Sequence, residues 1–242
     1  MKYIMVTFNI LLADIVIQIN AFYESTKKYC LDFLTDEKEE YVITLTMEDL
    51  KNEINYSSTG KVYVNEEISA TYRKIADILV ERNIVVFHSS SFMVDGNGFL
   101  IAARSGVGKS THVSLLSSLL GDRFKYINDD KPLLEVGENI IIHSSPWNGK
   151  ERRGNNISAS LKAIIFLNRG IDNSYRKITD KNEIYIKMLS QIYLPLEKSK
   201  REKALKNADI IFNKINFYEI NVNKDISAAE MTYERIIKNE IE

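Results

Sequence analysis

A short stretch containing two glycines holds the residues with the clearest chemical potential. The apolar run Phe99–Ala103 predicts a buried strand, and Lys109-Ser110-Thr111 begins a segment whose apolar residues have helical spacing. Between them lies a loop of small residues, 104–108. Glycines let backbone N–H groups converge on phosphate oxygens, and the start of a helix adds partial positive charge. The strand–loop–helix pattern therefore predicts a phosphate-binding loop.

The positions within this loop have distinct predicted roles. Lys109 is expected to reach the β- and γ-phosphates of a nucleotide, and Ser110 to offer its hydroxyl to Mg²⁺. Ala103 stands where the usual pattern G-x-x-x-x-G-K-S has its first glycine. ATP and Mg²⁺ are therefore the expected cofactors. The residues predicted to bind them are Ser105, Gly106, Val107, Gly108, Lys109, Ser110 and Thr111.

Two adjacent carboxylates, Asp129 and Asp130, follow the predicted strand Phe124–Ile127. Phosphoryl transfer needs a carboxylate near Mg²⁺ and a group that takes the proton of the attacking hydroxyl. Adjacent carboxylates can divide these two roles, and both are candidate metal ligands. The alternative is a surface turn, because Asn and Asp are common in turns.

His88 comes at the end of the predicted strand Ile84–Phe87. We interpret it as a catalytic residue that contacts phosphate or metal, or assists proton transfer. The alternative is a histidine that is hydrogen-bonded at a strand end with no chemical role. Two other histidines receive no role: His112 lies in the predicted helix, where it could face solvent, and His143 ends a strand.

A long polar segment, 144–158, is predicted to be a loop, and loops of this length are commonly functional. Its basic residues Lys150, Arg152 and Arg153 could neutralise the charge of a transferring phosphate. Trp147 could cover a base or an acceptor. We therefore interpret these four residues as a substrate-binding lid, the alternative being a charged loop with one packing tryptophan.

Composition narrows the possible classes of protein. The 242 residues have a net charge of −1, so there is no electrostatic signature of nucleic-acid or anionic-membrane binding. Cys30 is the single cysteine, which excludes an internal disulfide and agrees with a cytoplasmic location. The apolar N-terminal residues contain Asn9 and Asp14 and lack a small-residue cleavage site, so strands are favoured over a signal peptide.

The pattern of elements predicts two parts, a small α+β portion over residues 1–82 and a P-loop kinase-like core over residues 83–242. The first part is expected to contain a hairpin and a third strand, then two helices separated by a polar loop. These elements are Tyr3–Ile10, Ile15–Ile19, Tyr41–Thr46, a short helix that Thr46 begins, the loop between Asn55 and Gly60, and the helix Ser69–Val80.

The second part is expected to be an α/β core with a mixed, largely antiparallel sheet. Its first hairpin turns at Gly96-Asn-Gly98, a strong signal for a tight turn. A helix capped by Thr179 or Asp180 is expected to end at Pro195. The remaining predicted elements are the hairpin Leu133–Val136 and Ile140–His143, strands Leu161–Leu167 and Phe217–Val222, and helices 197–211 and Ala228–Ile237.

Together these motifs resemble the HPr kinase/phosphorylase family, over about residues 84–145. In that family a histidine precedes the glycine loop and an Asp-Asp pair follows it. The core also resembles, more distantly, that of ATP-dependent phosphoenolpyruvate carboxykinases. A closer resemblance is to bacterial HPr-kinase-like proteins, some associated with modified-peptide clusters. The motifs shared with them are His88-Ser-Ser90, Ser105–His112, Asn128–Pro132 and Pro146–Lys150.

The resemblance implies an ATP- and Mg²⁺-dependent kinase in which one aspartate of the pair is the base and the other lies near the metal. It does not fix which of Asp129 and Asp130 has which role. The sequence has no counterpart to the segment with which HPr kinases dock their protein substrate. The acceptor is therefore an unidentified hydroxyl, on a peptide or protein serine or on a small molecule, and the oligomeric state is open.

Two other functions remain compatible with the sequence. A nucleotide-binding regulatory protein could hydrolyse ATP slowly and transfer nothing. A decarboxylating carboxykinase would in addition need a pocket lined by several arginines, which the sequence does not reveal. Release of ADP that depends on an acceptor separates the kinase from the regulatory ATPase.

Overall fold

A computed structural model describes residues 5–54 and 64–242 of the chain. The chain divides into two compact units, Met1–Arg82 and Asn83–Glu242. The loop predicted between Asn55 and Gly60 and the first residues of the strand predicted from Tyr3 lie outside the described residues. Within the described part, no helix combines the length and apolar character needed to cross a membrane.

The first unit contains a four-stranded sheet of order β3-β1-β2-β4. Its strands are β1 (Val6–Leu12), β2 (Ile15–Ala21), β3 (Leu34–Thr35) and β4 (Tyr41–Thr44). Strands β1 and β2 form the predicted hairpin, with β4 parallel to β2. The turn residues Ala13 and Asp14 both have positive φ, 47° and 61°, as a two-residue hairpin turn requires.

Three helices belong to this unit: α1 (Glu24–Tyr29), α2 (Met47–Ile54) and α3 (Val64–Glu81). Thr46 and Asp49 cap the start of α2 reciprocally, since each side chain accepts a hydrogen bond from the other residue's backbone N–H. Glu67 of α3 is fully buried, and its carboxylate accepts hydrogen bonds from the Phe22 and Tyr23 backbone N–H groups. This buried carboxylate fixes α3 to the chain that follows β2.

The second unit contains a nine-stranded sheet with helices on it. Its strands are β5 (Ile84–Val86), β6 (Ser90–Val94), β7 (Asn97–Ala102), β8 (Phe124–Asn128), β9 (Leu133–Val136), β10 (Ile140–His143), β11 (Ser158–Arg169), β12 (Ser174–Lys177) and β13 (Asn216–Val222). Its helices are α4 (Lys109–Leu120), α5 (Lys181–Leu189), α6 (Lys198–Lys214), α7 (Ile226–Thr232) and α8 (Lys238–Ile241).

The sheet order determines which strand ends meet. The main path is β5-β9-β10-β11-β7-β6-β8, and β13 pairs with the second half of β11. Strands β7, β11 and β13 are mutually parallel, whereas β6 is antiparallel to both β7 and β8. The C-terminal ends of β13, β11, β7 and β8 therefore lie along one edge of the sheet, together with the start of β6. The sheet is mixed, as predicted.

Several element boundaries differ from those predicted. The β6–β7 hairpin turns at Asp95 and Gly96, because Val94 pairs with Asn97; Gly98 is inside β7. A Cβ at Gly98 would lie 2.6 Å from Ile142 Cδ1, so the glycine allows close strand packing. Helix α5 ends at Leu189 rather than at Pro195, since Ile192 forms a β-bridge with Phe87. Strand β12 was not predicted.

The predicted C-terminal helix spans α7 and α8, joined by a π-helical turn, Tyr233–Ile237. A π turn holds one residue more than an α turn. Beyond it, the Glu240 carboxylate accepts hydrogen bonds from Asn216 Nδ2 and from the Tyr218 hydroxyl. Helices α4 and α7 contact each other, and both pack on the core formed by β6, β7, β11 and β13.

Candidate functional site

The glycine loop, defined as Ala103–Gly108, connects the end of β7 to the start of α4. Gly106 and Gly108 have φ values of +77° and +116°, in the left-handed region that favours glycine. The backbone of Ala103 lies outside that region and its side chain is buried. An alanine therefore fits at the position where the usual pattern has its first glycine.

Lys109 is the first residue of α4 and extends along the edge of the sheet. Its Nζ lies 3.5 Å from the backbone oxygen of Asp129, which follows β8. Burial lowers the pKa of Lys109, while the carboxylates of Asp130 and Asp129 oppose that change. The glycine loop and the Asp129-Asp130 pair are thus neighbours across the width of β6.

Asn128, the last residue of β8, holds the turn that follows. It is fully buried, and its Oδ1 accepts hydrogen bonds from the backbone N–H groups of Asp130 (2.9 Å) and Lys131 (2.7 Å). Its Nδ2 donates to the backbone oxygen of Ser145, at 2.9 Å. One amide side chain therefore connects the aspartate turn to the loop that begins at Ser144.

Asp130 is paired with two cationic or protonatable side chains. Its Oδ1 lies 3.2 Å from His88 Nε2, and its Oδ2 lies 3.1 Å from Lys131 Nζ. Burial raises the pKa of Asp130, but the His88 hydrogen bond and the Lys131 charge outweigh it and lower the pKa to about 2. The structure thus brings His88 and Asp130 into contact, and Asp130 is ionised at neutral pH.

Asp129 contacts the loop after β10 instead. The Gly149 backbone N–H donates a hydrogen bond to Asp129 Oδ1, and Asn148 Oδ1 accepts one from the Asp129 N–H at 3.2 Å. A Cβ at Gly149 would lie 3.0 Å from Asp129 Oδ2. The two adjacent carboxylates therefore have separate surroundings: Asp130 contacts His88, and Asp129 contacts Gly149.

These groups line one cavity of about 850 Å³ at the edge of the sheet. Among the described residues that line it, five are basic and three are acidic. The basic ones are Arg104, Lys109, Lys150, Arg169 and Lys224, and the acidic ones are Asp129, Asp130 and Glu151. Because the whole chain carries a net charge of −1, this excess of positive charge is local. Such a cavity suits a polyanionic ligand.

The loop 144–158 supplies only part of the predicted lid. Lys150 lines the cavity, but Trp147, Arg152 and Arg153 are not among its described lining residues. Trp147 is only 5% exposed, so its indole does not cover a ligand in this conformation. Arg153 instead donates hydrogen bonds to Ser114 of α4 and to the Tyr126 hydroxyl of β8. Its visible contacts anchor the loop to the sheet and to α4.

The other two histidines have different surroundings from His88. The expectation that His112 could face solvent is wrong: the residue is buried, and its Nε2 lies 3.0 Å from Thr232 Oγ1 of α7. Burial lowers the pKa of His112 to about 4. His143 lies outside the cavity lining, with Glu135 on one ring nitrogen and Ser158 on the other.

Sequence reasoning missed polar and glycine lining residues at the ends of β11 and β13. These are Arg169, Gly170, Asn223 and Lys224. The guanidinium of Arg169 donates to the Gly106 carbonyl at 3.3 Å, so it touches the glycine loop directly. The available signal was a polar or glycine residue after each apolar strand. That signal becomes useful only once both strands are known to be parallel to β7.

Oxygen atoms able to bind Mg²⁺ line the cavity at Ser110, Asp129 and Asp130. In the described ranges, no group of three or more His, Cys, Asp or Glu side chains is placed to hold a metal ion. Hydroxyl and carboxylate oxygens are the kinds of ligand that Mg²⁺ takes in proteins.

Comparison with known proteins gives a distant structural likeness. No protein-family model matches the chain, and no curated protein is significantly similar to it. Among solved structures, it is similar to the Hpr(Ser) kinase/phosphatase from Coxiella burnetii, with 13% sequence identity and a TM-score of 0.38. The similarity covers 64% of this chain and 98% of that chain.

Proposed function

We propose that this protein is an ATP- and Mg²⁺-dependent phosphotransferase acting on a hydroxyl acceptor. The observation that supports it is the meeting of three features in one cavity: the glycine loop with Lys109, the Asp129-Asp130 pair, and His88. A cation at a helix start binds phosphate, and carboxylates beside it handle metal and proton. The acceptor is a peptide or protein serine, or a small molecule.

The glycine loop binds the phosphates in this proposal. Its left-handed glycines at 106 and 108 leave backbone N–H groups free of side-chain bulk, and among the described residues no atom beyond the adjoining backbone lies within 4 Å of either Cβ position. Residues from Ser105 to Thr111 form the cradle around the phosphates. Lys109 supplies the charge at the β- and γ-phosphates.

The carboxylate pair serves the metal and the acceptor. Ser110 with Asp129 and Asp130 offers the hard oxygen ligands that Mg²⁺ prefers. When bound, the ion neutralises charge on the phosphates during transfer. His88 orients Asp130, and the Gly149 N–H orients Asp129. The directions of the two carboxylates are therefore set independently.

The reaction proposed is an in-line displacement at the γ-phosphorus. The acceptor oxygen forms a bond to that phosphorus while the bond to the β,γ-bridging oxygen breaks, and ADP leaves. The hydroxyl proton passes to a carboxylate of the aspartate pair, with His88 in contact with Asp130. Lys109 and the glycine-loop N–H groups stabilise the charge that develops on the phosphate oxygens. The product is a phosphate monoester of the acceptor.

A regulatory ATPase without an acceptor is the second candidate, and one observation favours it. The loop 144–158 is fixed to the sheet through contacts with Asn128, Asp129 and Tyr126, so this loop is not a separate docking element for an acceptor. In that case water replaces the hydroxyl, and ADP release is independent of any added acceptor.

The test is release of ADP from Mg-ATP by the full chain, measured with and without a panel of serine peptides and small hydroxyl compounds. Acceptor-dependent release with labelled phosphate on the acceptor supports the kinase. Equal release with every member of the panel supports the regulatory ATPase. Calorimetry in which the wild-type chain binds neither Mg-ATP nor tripolyphosphate would overturn both.

Lys109→Ala is the matched variant for this test. Hydrogen bonds to charged groups contribute about 1.5–3 kcal/mol, so we expect affinity for Mg-ATP to fall roughly tenfold or more. Lys125→Ala, on an exposed side chain of β8 outside the cavity lining, is the control and should bind as the wild type does. Equal affinity in Lys109→Ala and wild type would remove the phosphate-binding role of the loop.

A further inference from the structure

The cavity extends to both sides of the glycine loop, and the two sides differ in chemistry. Along the sheet edge, β6 and β8 lie on one side of β7, and β11 and β13 lie on the other. We call His88, Asp129 and Asp130 the acidic flank. Turn 170–173 follows β11, and turn 223–225 follows β13. We call these two turns the asparagine flank. The acidic flank holds every described carboxylate of the cavity except Glu151.

We propose that the asparagine flank binds the nucleoside half of the nucleotide, with Ile171 lying against the base. This inference rests on the proposed function and adds the direction in which the nucleotide lies. Transfer requires the γ-phosphate to lie at the aspartate pair. With the phosphates held on the glycine loop in the middle, the nucleoside extends to the opposite side, which is the end of β11 and β13.

The asparagine flank is built as a fixed wall. Asn173 Oδ1 accepts a hydrogen bond from the Asn223 N–H at 2.9 Å, and Asn173 Nδ2 donates to Ser227 Oγ at 3.1 Å. The Asn223 side chain caps its own turn, since its Oδ1 accepts from the Asp225 N–H at 3.0 Å. Neutral amides therefore lock the two turns together, so a ligand meets a preorganised surface.

Its composition suits a sugar and a base better than a reacting centre. Leu167 and Val222 give the cavity an apolar floor here, and Lys224 adds an exposed cation beside them. Ile171 follows the lining residue Gly170 in the chain, and its aliphatic side chain is 91% exposed. Apolar surfaces with a few polar groups are typical of sites that bind flat organic rings.

Arg169 lies between the two halves. Its guanidinium contacts the Gly106 carbonyl of the glycine loop, while the next residue, Gly170, begins the asparagine flank. A cation at this junction is suited to the phosphate nearest the ribose. The order along the sheet edge is therefore acidic flank, glycine loop, Arg169 and asparagine flank.

Calorimetry with Mg-ATP and with tripolyphosphate separates the nucleoside contribution from the phosphate contribution. We expect the wild type to bind ATP more tightly than tripolyphosphate. Ile171→Ser should weaken ATP binding by about fivefold, because the base loses an apolar contact, and leave tripolyphosphate unchanged. Lys109→Ala should weaken both ligands.

Ile186→Ser is the matched control, because Ile186 is an isoleucine of α5 that is 73% exposed and lies outside the cavity lining. It should leave both affinities unchanged. Asn173→Ala, which unlinks the two turns, is the second variant and should also weaken ATP alone; thermal melting checks that each variant folds. Equal wild-type affinity for ATP and tripolyphosphate, or unchanged ATP affinity in both variants, overturns the inference. Loss of all binding in the wild type would instead overturn the proposed function.

Discussion

The acidic flank and the asparagine flank begin at the same edge of one sheet but are held together differently. On the acidic flank, an ionised carboxylate is fixed by groups that can themselves carry charge, as His88 and Lys131 do for Asp130. On the asparagine flank, neutral amides such as Asn173 fix backbone turns and add no charge. The first arrangement responds to charge that develops in a reaction, and the second preserves a shape.

The largest effect is expected on the acidic flank. Asp129→Asn and Asp130→Asn should each reduce phosphotransfer by at least about a hundredfold, since a positioned general base typically contributes 10²–10⁴ in rate. At least one variant should still bind ATP, because Lys109 and the glycine-loop N–H groups remain. Radiolabel transfer, calorimetry and thermal melting on the same preparations measure the three properties.

Asp122→Asn serves as the control for this pair, because Asp122 is an exposed carboxylate after α4 and outside the cavity lining. It should transfer phosphate at the wild-type rate. If either Asp129→Asn or Asp130→Asn keeps near-wild-type turnover, that aspartate has no catalytic role. If both lose activity only by unfolding, the acidic flank is structural and differs less from the asparagine flank than we propose.

The second effect concerns α4, the helix that follows the glycine loop. Burial lowers the pKa of His112 from 6.5 to about 4, so the unfolded chain binds this proton first as the pH falls. The free energy of unfolding should therefore decrease between pH 6.5 and 4, by up to roughly 3 kcal/mol from this group. Urea unfolding across that range, in the wild type and in His112→Gln, measures it.

Glutamine can keep the hydrogen bond to Thr232 but does not titrate, so His112→Gln should show a shallower pH dependence than the wild type. If the free energy of unfolding had the same pH dependence in both proteins, protonation of His112 would not destabilise the folded state. The packing of α4 on α7 would then tolerate charge, contrary to its apolar surroundings.

A third effect tests how the acidic flank is positioned. Asn128→Ala removes the hydrogen bonds to Asp130, Lys131 and Ser145 from a fully buried site, so we expect a loss of about 2 kcal/mol in stability. Transfer should fall more than ATP affinity does. Asn168→Ala, on an exposed side chain of β11, should change neither. A larger loss of ATP affinity than of transfer would place Asn128 with the binding residues instead.

The smallest effect is expected at Trp147, which is buried in the loop that contacts Asp129 through Gly149. In the proposed function, we expect Mg²⁺ with nucleotide to draw the Asp129 carboxylate toward the ligand, so tryptophan emission should change slightly. Trp147 is the single tryptophan, which makes the signal unambiguous. Asp129→Asn should reduce the change, and Ile186→Ser should not. An unchanged spectrum at saturating ligand would mean that ligand binding does not alter the surroundings of Trp147 in the loop 144–158.

Local patterns predicted the acidic flank and could not predict the asparagine flank. The glycine loop, the aspartate pair and His88 follow predicted strands, and each has a residue type that suggests chemistry. Arg169 and Asn223 follow equally apolar strands, but they join the cavity only because β11 and β13 run parallel to β7. Strand order depends on pairing between distant segments, such as Phe99 with Ala163 and Ala163 with Asn216, which periodicity does not reveal.

Contacts between distant segments also explain why two predictions, for His112 and for the end of α5, were wrong. His112 follows the polar residues Lys109-Ser110-Thr111 in sequence, and nothing local indicates that α7 covers it. The early end of α5 depends on the β-bridge between Ile192 and Phe87, a contact between distant segments. By contrast, the caps at Thr46 and Asp180 were predictable, because each is decided within four residues.

The π-helical turn at Tyr233–Ile237 sets the rotational phase of everything after it. Successive residues of a helix are separated by about 100° of rotation, so the extra residue of this turn rotates the last helical turn by about that angle. Glu240 faces Asn216 and Tyr218 only in this phase. If the same residues formed a regular α-helix, Glu240 would face away from both partners, whereas deleting one residue between Tyr233 and Ile237 would regularise the helix and keep Glu240 directed at them. Loss of one residue is therefore better tolerated inside this turn than in the regular turns of the helix, where it would rotate every later side chain by about 100°.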